Sequence, residues 1–330
     1  MACGTRLAEK CESCSEVYSR DAMAVMRSGL VDGNGKQVLV TFITVTAPGA
    51  DVFGATHQRR TGERKDGKKF VYKCACGLRH SETDSRIGVP VDPTNYDYIA
   101  ATKFNAASSR LLALTFQKLA NVLGVDRVER VRVAEFQARG LVHFHCLVRG
   151  IVTSEEMSCV ILGGVSPRTG EQISPVSHDG ITWGSQFDVK PILPGSKNGL
   201  GFYLLKLVRY AAKSAGTGVE AGSKHGDRMA QAALMSCECE EGIYCDCGSK
   251  VNSDSERVRL QQTYETRCRK HRNAARGWGF RGHVFTTSRG WGRTFKLVRE
   301  QRRDFCVPIV VEDPNIEVKW TVVSVVPFRT

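Results

Sequence analysis

Segment 135–145, EFQARGLVHFH, constrains this chain more tightly than any other stretch. Residues Val131 to Phe136 read as one strand and Leu141 to Val148 as the next, both rich in β-branched and aromatic side chains. Between them Ala138-Arg139-Gly140 makes a three-residue loop, with Gly140 where a turn-plus-bulge hairpin needs a left-handed residue. In that register Gln137 faces Leu141 and Glu135 faces His143. His143 and His145 share one face of the pleat, and Glu135 joins them there. Cross-strand Cβ atoms lie about 5 Å apart, so one divalent ion can touch all three side chains. Two imidazoles and a carboxylate leave coordination positions open. A lone strand histidine is usually structural, but two on one face opposite an acid point to ligands. The pair also fits zinc hydrolases, so it names no reaction.

A second element narrows the chemistry. Residues 201–214, GFYLLKLVRYAAKS, combine strong helix formers with no proline, and glycines at 216 and 218 close the segment. Leu204, Leu207, Val208 and Ala211 form its apolar stripe. Tyr203 and Tyr210, seven residues apart, nearly superimpose at one edge of that stripe, and Lys206 and Lys213 each follow a tyrosine by three. A phenol on an apolar edge beside ammonium groups suits a nucleophile, because a nearby cation favours the phenolate. An amphipathic helix with ordinary core-edge tyrosines gives the same pattern.

Composition points to a polyanionic partner. The formal net charge is +13 over 330 residues, and residues 257–304 hold 14 Lys or Arg against three Asp or Glu. Within that stretch Arg276, Arg281, Arg289, Arg293 and Lys296 alternate with aromatics that include Trp278 and Trp291. Cations for phosphates beside aromatic faces for bases are what single-stranded DNA binding needs. No run approaches the roughly 18 apolar residues of a membrane span, and the N-terminus lacks an apolar signal core, so a cytoplasmic protein is expected. Thirteen cysteines in such a chain argue for metal before disulfides. Cys11, Cys14, Cys74 and Cys76 read as one zinc-ribbon-like site, with His80 a possible substitute ligand. Cys237, Cys239, Cys245 and Cys247 form a second cluster, suited to zinc or an iron–sulfur centre. No Walker motif is present, so no nucleotide-binding site is expected.

Taken in order, several short blocks carry a family likeness. Cys11-x-x-Cys14 leads to Tyr18 and Asp21-Ala22. Thr44-Val45-Thr46-Ala47-Pro48 is followed by Phe53-Gly54 and His57, then by Tyr96-Asp97-Tyr98 and Phe104-Asn105-Ala106. The metal hairpin, Trp183 with Asp188 and Lys190, and Gly279-Phe280-Arg281-Gly282-His283 complete the series. A His-hydrophobe-His strand followed by a Tyr-x-x-Lys helix resembles the HUH endonucleases, which nick single-stranded DNA. The ordered set resembles one branch of them, the RepSA-type replication initiators of actinobacterial plasmids and integrative elements. The family usually carries a close tyrosine pair, whereas the two here are seven residues apart: either Tyr203 begins a first copy followed by a short insertion, or only Tyr210 is equivalent, with Tyr210 ranked ahead of Tyr203. Its Cys-x-x-Cys before Tyr96 is replaced by Asp92 to Asn95.

The resemblance implies rolling-circle initiation. A tyrosine would nick the origin strand with Mg²⁺ or Mn²⁺, leaving a 5′-phosphotyrosyl enzyme and a free 3′-hydroxyl primer. Lys206 and Lys213 would orient phosphate oxygens or lower the phenol pKa, and a host helicase and polymerase would act as partners. A non-catalytic zinc-containing DNA-binding protein and an HUH transposase or relaxase are the alternatives. The expected architecture is α+β, an antiparallel sheet with helices mainly on one face. Residues 1–100 would form a Cys-rich zinc-ribbon-like region, with strand 37–47 lent to the catalytic sheet. Residues 101–216 would form the nicking domain. Residues 217–330 would hold the second cysteine cluster, the basic aromatic segment and a closing hairpin.

Overall fold

A computed structural model describes residues 3–64, 66–193, 199–212, 224–235 and 277–305. The second cysteine cluster (Cys237, Cys239, Cys245, Cys247), Lys213, Arg276 and the expected hairpin around Val307 to Val326 lie outside the described residues. In chain order the elements are α1 (Glu12–Ser28), β1 (Val40–Val45), α2 (Ala50–Phe53), β2 (Thr61–Glu63) and β3 (Lys69–Val71). Next come α3 (Tyr98–Leu123), β4 (Arg130–Phe136), β5 (Val142–Arg149), α4 (Ser154–Leu162), β6 (Gly164–Val165) and β7 (Gln172–Ile173). The series ends with β8 (Phe187–Ile192), α5 (Leu200–Ala212), α6 (Lys224–Met235), β9 (Phe285–Thr287) and α7 (Phe295–Phe305).

The central sheet has the order β8-β1-β5-β4-β9, with every neighbouring pair antiparallel. The metal hairpin forms in the expected register: Glu135 faces His143, and Gln137 and Leu141 close the loop through a 2.9 Å backbone bond. Gly140 has φ +81°, the left-handed conformation that only glycine adopts cheaply. Strand β5 lies at the centre of the sheet, and β1 is an inner strand between β5 and β8.

Helices cover both faces, which corrects the expectation of helices mainly on one. Along β1, Ile43 and Val45 join a core with Phe104, Leu111 and Phe116 of α3, Val160 of α4 and Met229 of α6. The alternate residues Val40 and Phe42 join Val25 and Met26 of α1, Leu204 and Leu207 of α5, and Val298 of α7. The reason lies in β5, where Phe144, Cys146 and Val148 serve one core and Leu147 serves the other. A strand apolar on both sides must be covered on both sides. The 152–185 connection, which reads as a loop, contains α4. Its start is fixed by a capping box between Thr153 and Glu156.

The basic segment after residue 276 is also part of this body. Strand β9 pairs with β4, and α7 packs beside α1. Trp278 and Trp291 are buried rather than presented to solvent, so neither is a stacking platform for bases. Trp291 is fully enclosed, donates its indole N–H to the Met26 carbonyl at 3.1 Å, and lies under the Arg149 guanidinium. Large aromatics anchor an irregular segment by burying their area, and that outweighs exposure to a ligand. Arg281, Arg289, Arg293 and Lys296 remain exposed. Among the described residues, no helix is long and apolar enough to cross a membrane.

One buried amide ties these parts together. Asn105 of α3 donates to the carbonyls of Gly140 (2.9 Å) and Trp278 (2.8 Å) and accepts from the Val142 N–H (2.9 Å). Asn105→Ala leaves three backbone groups without that partner, each costing about 1–3 kcal/mol when buried and unmet. We expect a destabilisation of at least roughly 2 kcal/mol, read as a lowered urea midpoint with unchanged slope.

Candidate metal centre

The hairpin register brings three donors to one point. His143 Nε2 and His145 Nε2 lie 3.0 Å and 3.1 Å from the same oxygen, Oε2 of Glu135. Cis ligands around an octahedral ion with bonds near 2.1 Å are roughly 3 Å apart, so these spacings match a shared ion. The chemistry of the donors agrees. Thr44 Oγ1 sits 3.0 Å from His145 Nδ1, and with the ring proton on that side the Nε2 lone pair points at the carboxylate. Lone pairs converging on one another are unfavourable until a cation sits among them. Burial, above all, holds the His145 imidazolium down to a pKa of about 4 against the opposing pull of Glu135, so the ring is neutral and available near pH 7. The His145 side chain is 4% exposed, against 15% for His143 and 13% for Glu135, so the open side lies toward the loop end of the hairpin.

Helix α5 runs over this face. Tyr210 stacks on the His145 ring with centroids 4.2 Å apart and planes 10° from parallel. Tyr203 is buried and packs on Phe42 at 4.8 Å, while Phe42 in turn meets the His145 ring at 5.7 Å. Lys206 stands between the two, its Nζ 5.2 Å from the Phe42 ring centroid and 5.7 Å from that of Tyr210. Both tyrosines therefore face the sheet as the sequence period requires, but only Tyr210 stacks on one of the three donor side chains. Its phenol pKa is raised, first by burial and then by the Glu135 charge. This runs opposite to the lowering expected from the lysines, because burial, and then the carboxylate, disfavour the phenolate. On the neighbouring strand, Asp188 is the cross-strand partner of Thr44 and ion-pairs with Lys190 at 2.7 Å.

The cysteines are regrouped. Cys11 and Cys14 gather with Cys3, whereas Cys74 and Cys76 gather with His57 and His80, so the four cysteines expected to share one zinc do not meet. Cys11 opens α1, which is held on the sheet by Ala22, Val25 and Met26, and that docking takes its thiol away from the 74–76 knuckle. Sequence reasoning missed Thr44 and His57 as donor neighbours. Both stand in family-like blocks, and neither has a local pattern that marks it as a partner.

The antiparallel sheet and its donor trio define an α+β protein with a candidate divalent-ion centre beneath a tyrosine-bearing helix. The family model described as "RepSA: Replication initiator protein, pSAM2" matches residues 1–322, and the chain belongs to that family. A protein named "Replication initiator protein" from Streptomyces ambofaciens is 29% identical over 258 residues. That match covers 66% of this chain and 54% of the relative, so the chain spans about half the length of the curated relative it matches. No solved structure matches.

Mn²⁺ suits the trio and binds thiolates poorly, so it reports on this centre over the cysteine clusters. We expect one Mn²⁺ site by electron paramagnetic resonance titration, lost in His145→Ala. Thr44→Val should weaken it by about 10–100-fold, as removal of an outer-shell partner does, without changing the melting temperature.

Proposed function

We propose that this chain is a replication initiator that nicks one strand of origin DNA, with Tyr210 as nucleophile. The observation that supports this most strongly is the Tyr210 ring stacked at 4.2 Å on His145, itself one of three converging donors. When bound by Glu135, His143 and His145, a divalent ion, Mg²⁺ or Mn²⁺, supplies a Lewis acid for a phosphate oxygen and offsets the Glu135 charge beside the phenol.

The chain's own residues do the rest. Thr44 holds the His145 ring in one tautomer, and the stack on that ring fixes the plane of the phenol. The Tyr210 oxygen attacks phosphorus in line and loses its proton to solvent. The bond from phosphorus to the 3′ oxygen breaks, and that oxygen takes up a proton to become a free 3′-hydroxyl. The 5′ phosphate stays on Tyr210 as a phosphodiester. Lys206, over the phenol ring, places positive charge where the phosphoryl oxygens gather. Exposed Arg281, Arg289, Arg293 and Lys296 supply phosphate contacts along the strand, a sequence-independent term that salt weakens. Tyr203, enclosed against Phe42, is a packing residue. The released 3′-hydroxyl is a primer for a host polymerase, with a host helicase opening the duplex.

An origin-strand oligonucleotide with Mn²⁺ is expected to yield a covalent adduct on denaturing gels. Tyr210→Phe should abolish it and Tyr203→Phe should retain it. Lys206→Ala should slow its formation by on the order of 10²–10³-fold, as for a lost electrostatic stabiliser. An adduct that persists in Tyr210→Phe overturns the assignment. No adduct with any divalent ion, alongside salt-sensitive binding, would leave a DNA-binding protein without this chemistry.

A further inference from the structure

We infer that His57, Cys74, Cys76 and His80 form a structural zinc site, independent of the sheet centre and of the nicking chemistry. Their ligand atoms all lie within 4.8 Å of one another. His57 Nδ1 is 3.2 Å from His80 Nε2, Cys76 Sγ is 3.3 Å from His80 Nε2, and Cys74 Sγ is 4.0 Å from His57 Nδ1. Bonds of about 2.3 Å to sulfur and about 2.0–2.1 Å to nitrogen give a zinc tetrahedron with edges of roughly 3.3–3.8 Å. The observed separations bracket those edges, and two thiolates with two imidazoles are a closed donor set for zinc.

The groups behind these ligands orient them for zinc. His80 Nδ1 lies 2.7 Å from Asp84 Oδ2, so in the neutral ring the proton sits on that side and Nε2 is free to ligate. Asp84 is itself clamped by Arg86, with Nε at 3.0 Å from one oxygen and Nη2 at 2.7 Å from the other. The Gln58 backbone N–H donates to Cys74 Sγ at 3.4 Å, and Cys74 and Leu78 close a tight knuckle through a 2.7 Å backbone bond. His80 is 1% exposed and Cys74 9%, enclosure that a small β2–β3 hairpin cannot provide from apolar residues alone.

The site has a structural consequence. Segment 55–91 is tied back on itself by two backbone bonds, from the His57 N–H to the Val89 carbonyl (2.8 Å) and from the Gly88 N–H to the His57 carbonyl (2.7 Å). A Cβ on Gly88 would meet Ala138 at 2.2 Å, so this segment rests directly on the loop of the donor hairpin. His57 also lines a cleft of about 540 Å³ together with Arg59, Arg60, Gln137 and Arg139. Zinc here would hold one wall of that cleft in place.

The test is zinc content by mass spectrometry on the purified 330-residue chain. Cys76→Ser and His57→Ala should each lose one equivalent relative to the unsubstituted protein, whereas Cys11→Ser should retain that equivalent. With Co²⁺ in place of zinc, the thiolate charge-transfer and tetrahedral d–d bands should fall in His57→Ala. Unchanged zinc and an unchanged cobalt spectrum in Cys74→Ser/Cys76→Ser overturn the assignment. Should those variants fail to fold, X-ray absorption at the zinc edge on His143→Ala, which lacks the sheet centre, decides it. A mixed nitrogen and sulfur shell supports the site, and sulfur alone refutes it.

Discussion

The pairing of Glu135 with His143 is the constraint on which the rest of the centre depends. A slip of one residue in an antiparallel pair turns every side chain to the opposite face. Here it would send either the carboxylate or both imidazoles into the core that holds Phe104 and Phe116. Three things guard the register: the left-handed Gly140, the buried amide of Asn105, and alternation that sets Ala134 and Phe136 against α3. None of them touches a ligand atom. The precision of the trio is therefore inherited from how the hairpin is packed, not from the donors themselves.

The face that carries the donors is divided along the strands. At one end Val40, Phe42, Val131, Val133 and Leu147 form a dry core under α1, α5 and α7. At the other end Glu135, His143, Thr44 and Asp188 reach solvent. Helix α5 spans the boundary, so its two tyrosines meet different surroundings although they occupy the same helical edge. Tyr203 falls in the apolar half and becomes a core residue. Tyr210 falls at the edge, half-buried, with an imidazole on its face. The division explains a raised phenol pKa in a strongly basic chain: burial acts first on the phenol and the Glu135 carboxylate second.

Local features were legible in the sequence and long-range ones were not. The hairpin, its loop, the donor trio and the tyrosine helix each rest on contacts within a few residues, where periodicity and turn chemistry act directly. Which cysteine knuckle meets which partner depends on chain paths through the whole fold. His57 lies 17 residues from Cys74, and nothing in its neighbours marks the pairing. Cys11 opens a Cys-x-x-Cys pair in sequence but is drawn elsewhere by the apolar face of α1. The basic aromatic segment misled for a related reason. Arginine near tryptophan in sequence fits a DNA-binding surface, but here the tryptophan is a buried anchor, and the guanidinium over it comes from Arg149 of β5; only the approach of Trp291 to Gly29 separates the two. Ring atoms lie 2.3 Å from where a Cβ on Gly29 would be, a closeness no pattern along the chain records.

The spacing of the tyrosines bears on how the reaction could end. Two turns of helix separate them by about 10.5 Å along the axis, so they cannot address one phosphorus together. Bringing Tyr203 to the donors would require α5 to shift by two turns, which would pull Leu204 and Leu207 out of their core. Burial of two such side chains is worth roughly 3–6 kcal/mol, a barrier with no compensating contact in this arrangement. On the nicking reading, the chain therefore works with one phenol per centre. Rejoining the strand must then either reverse the first transfer at Tyr210, with a 3′-hydroxyl as the attacking group, or draw on the Tyr210 of a second molecule.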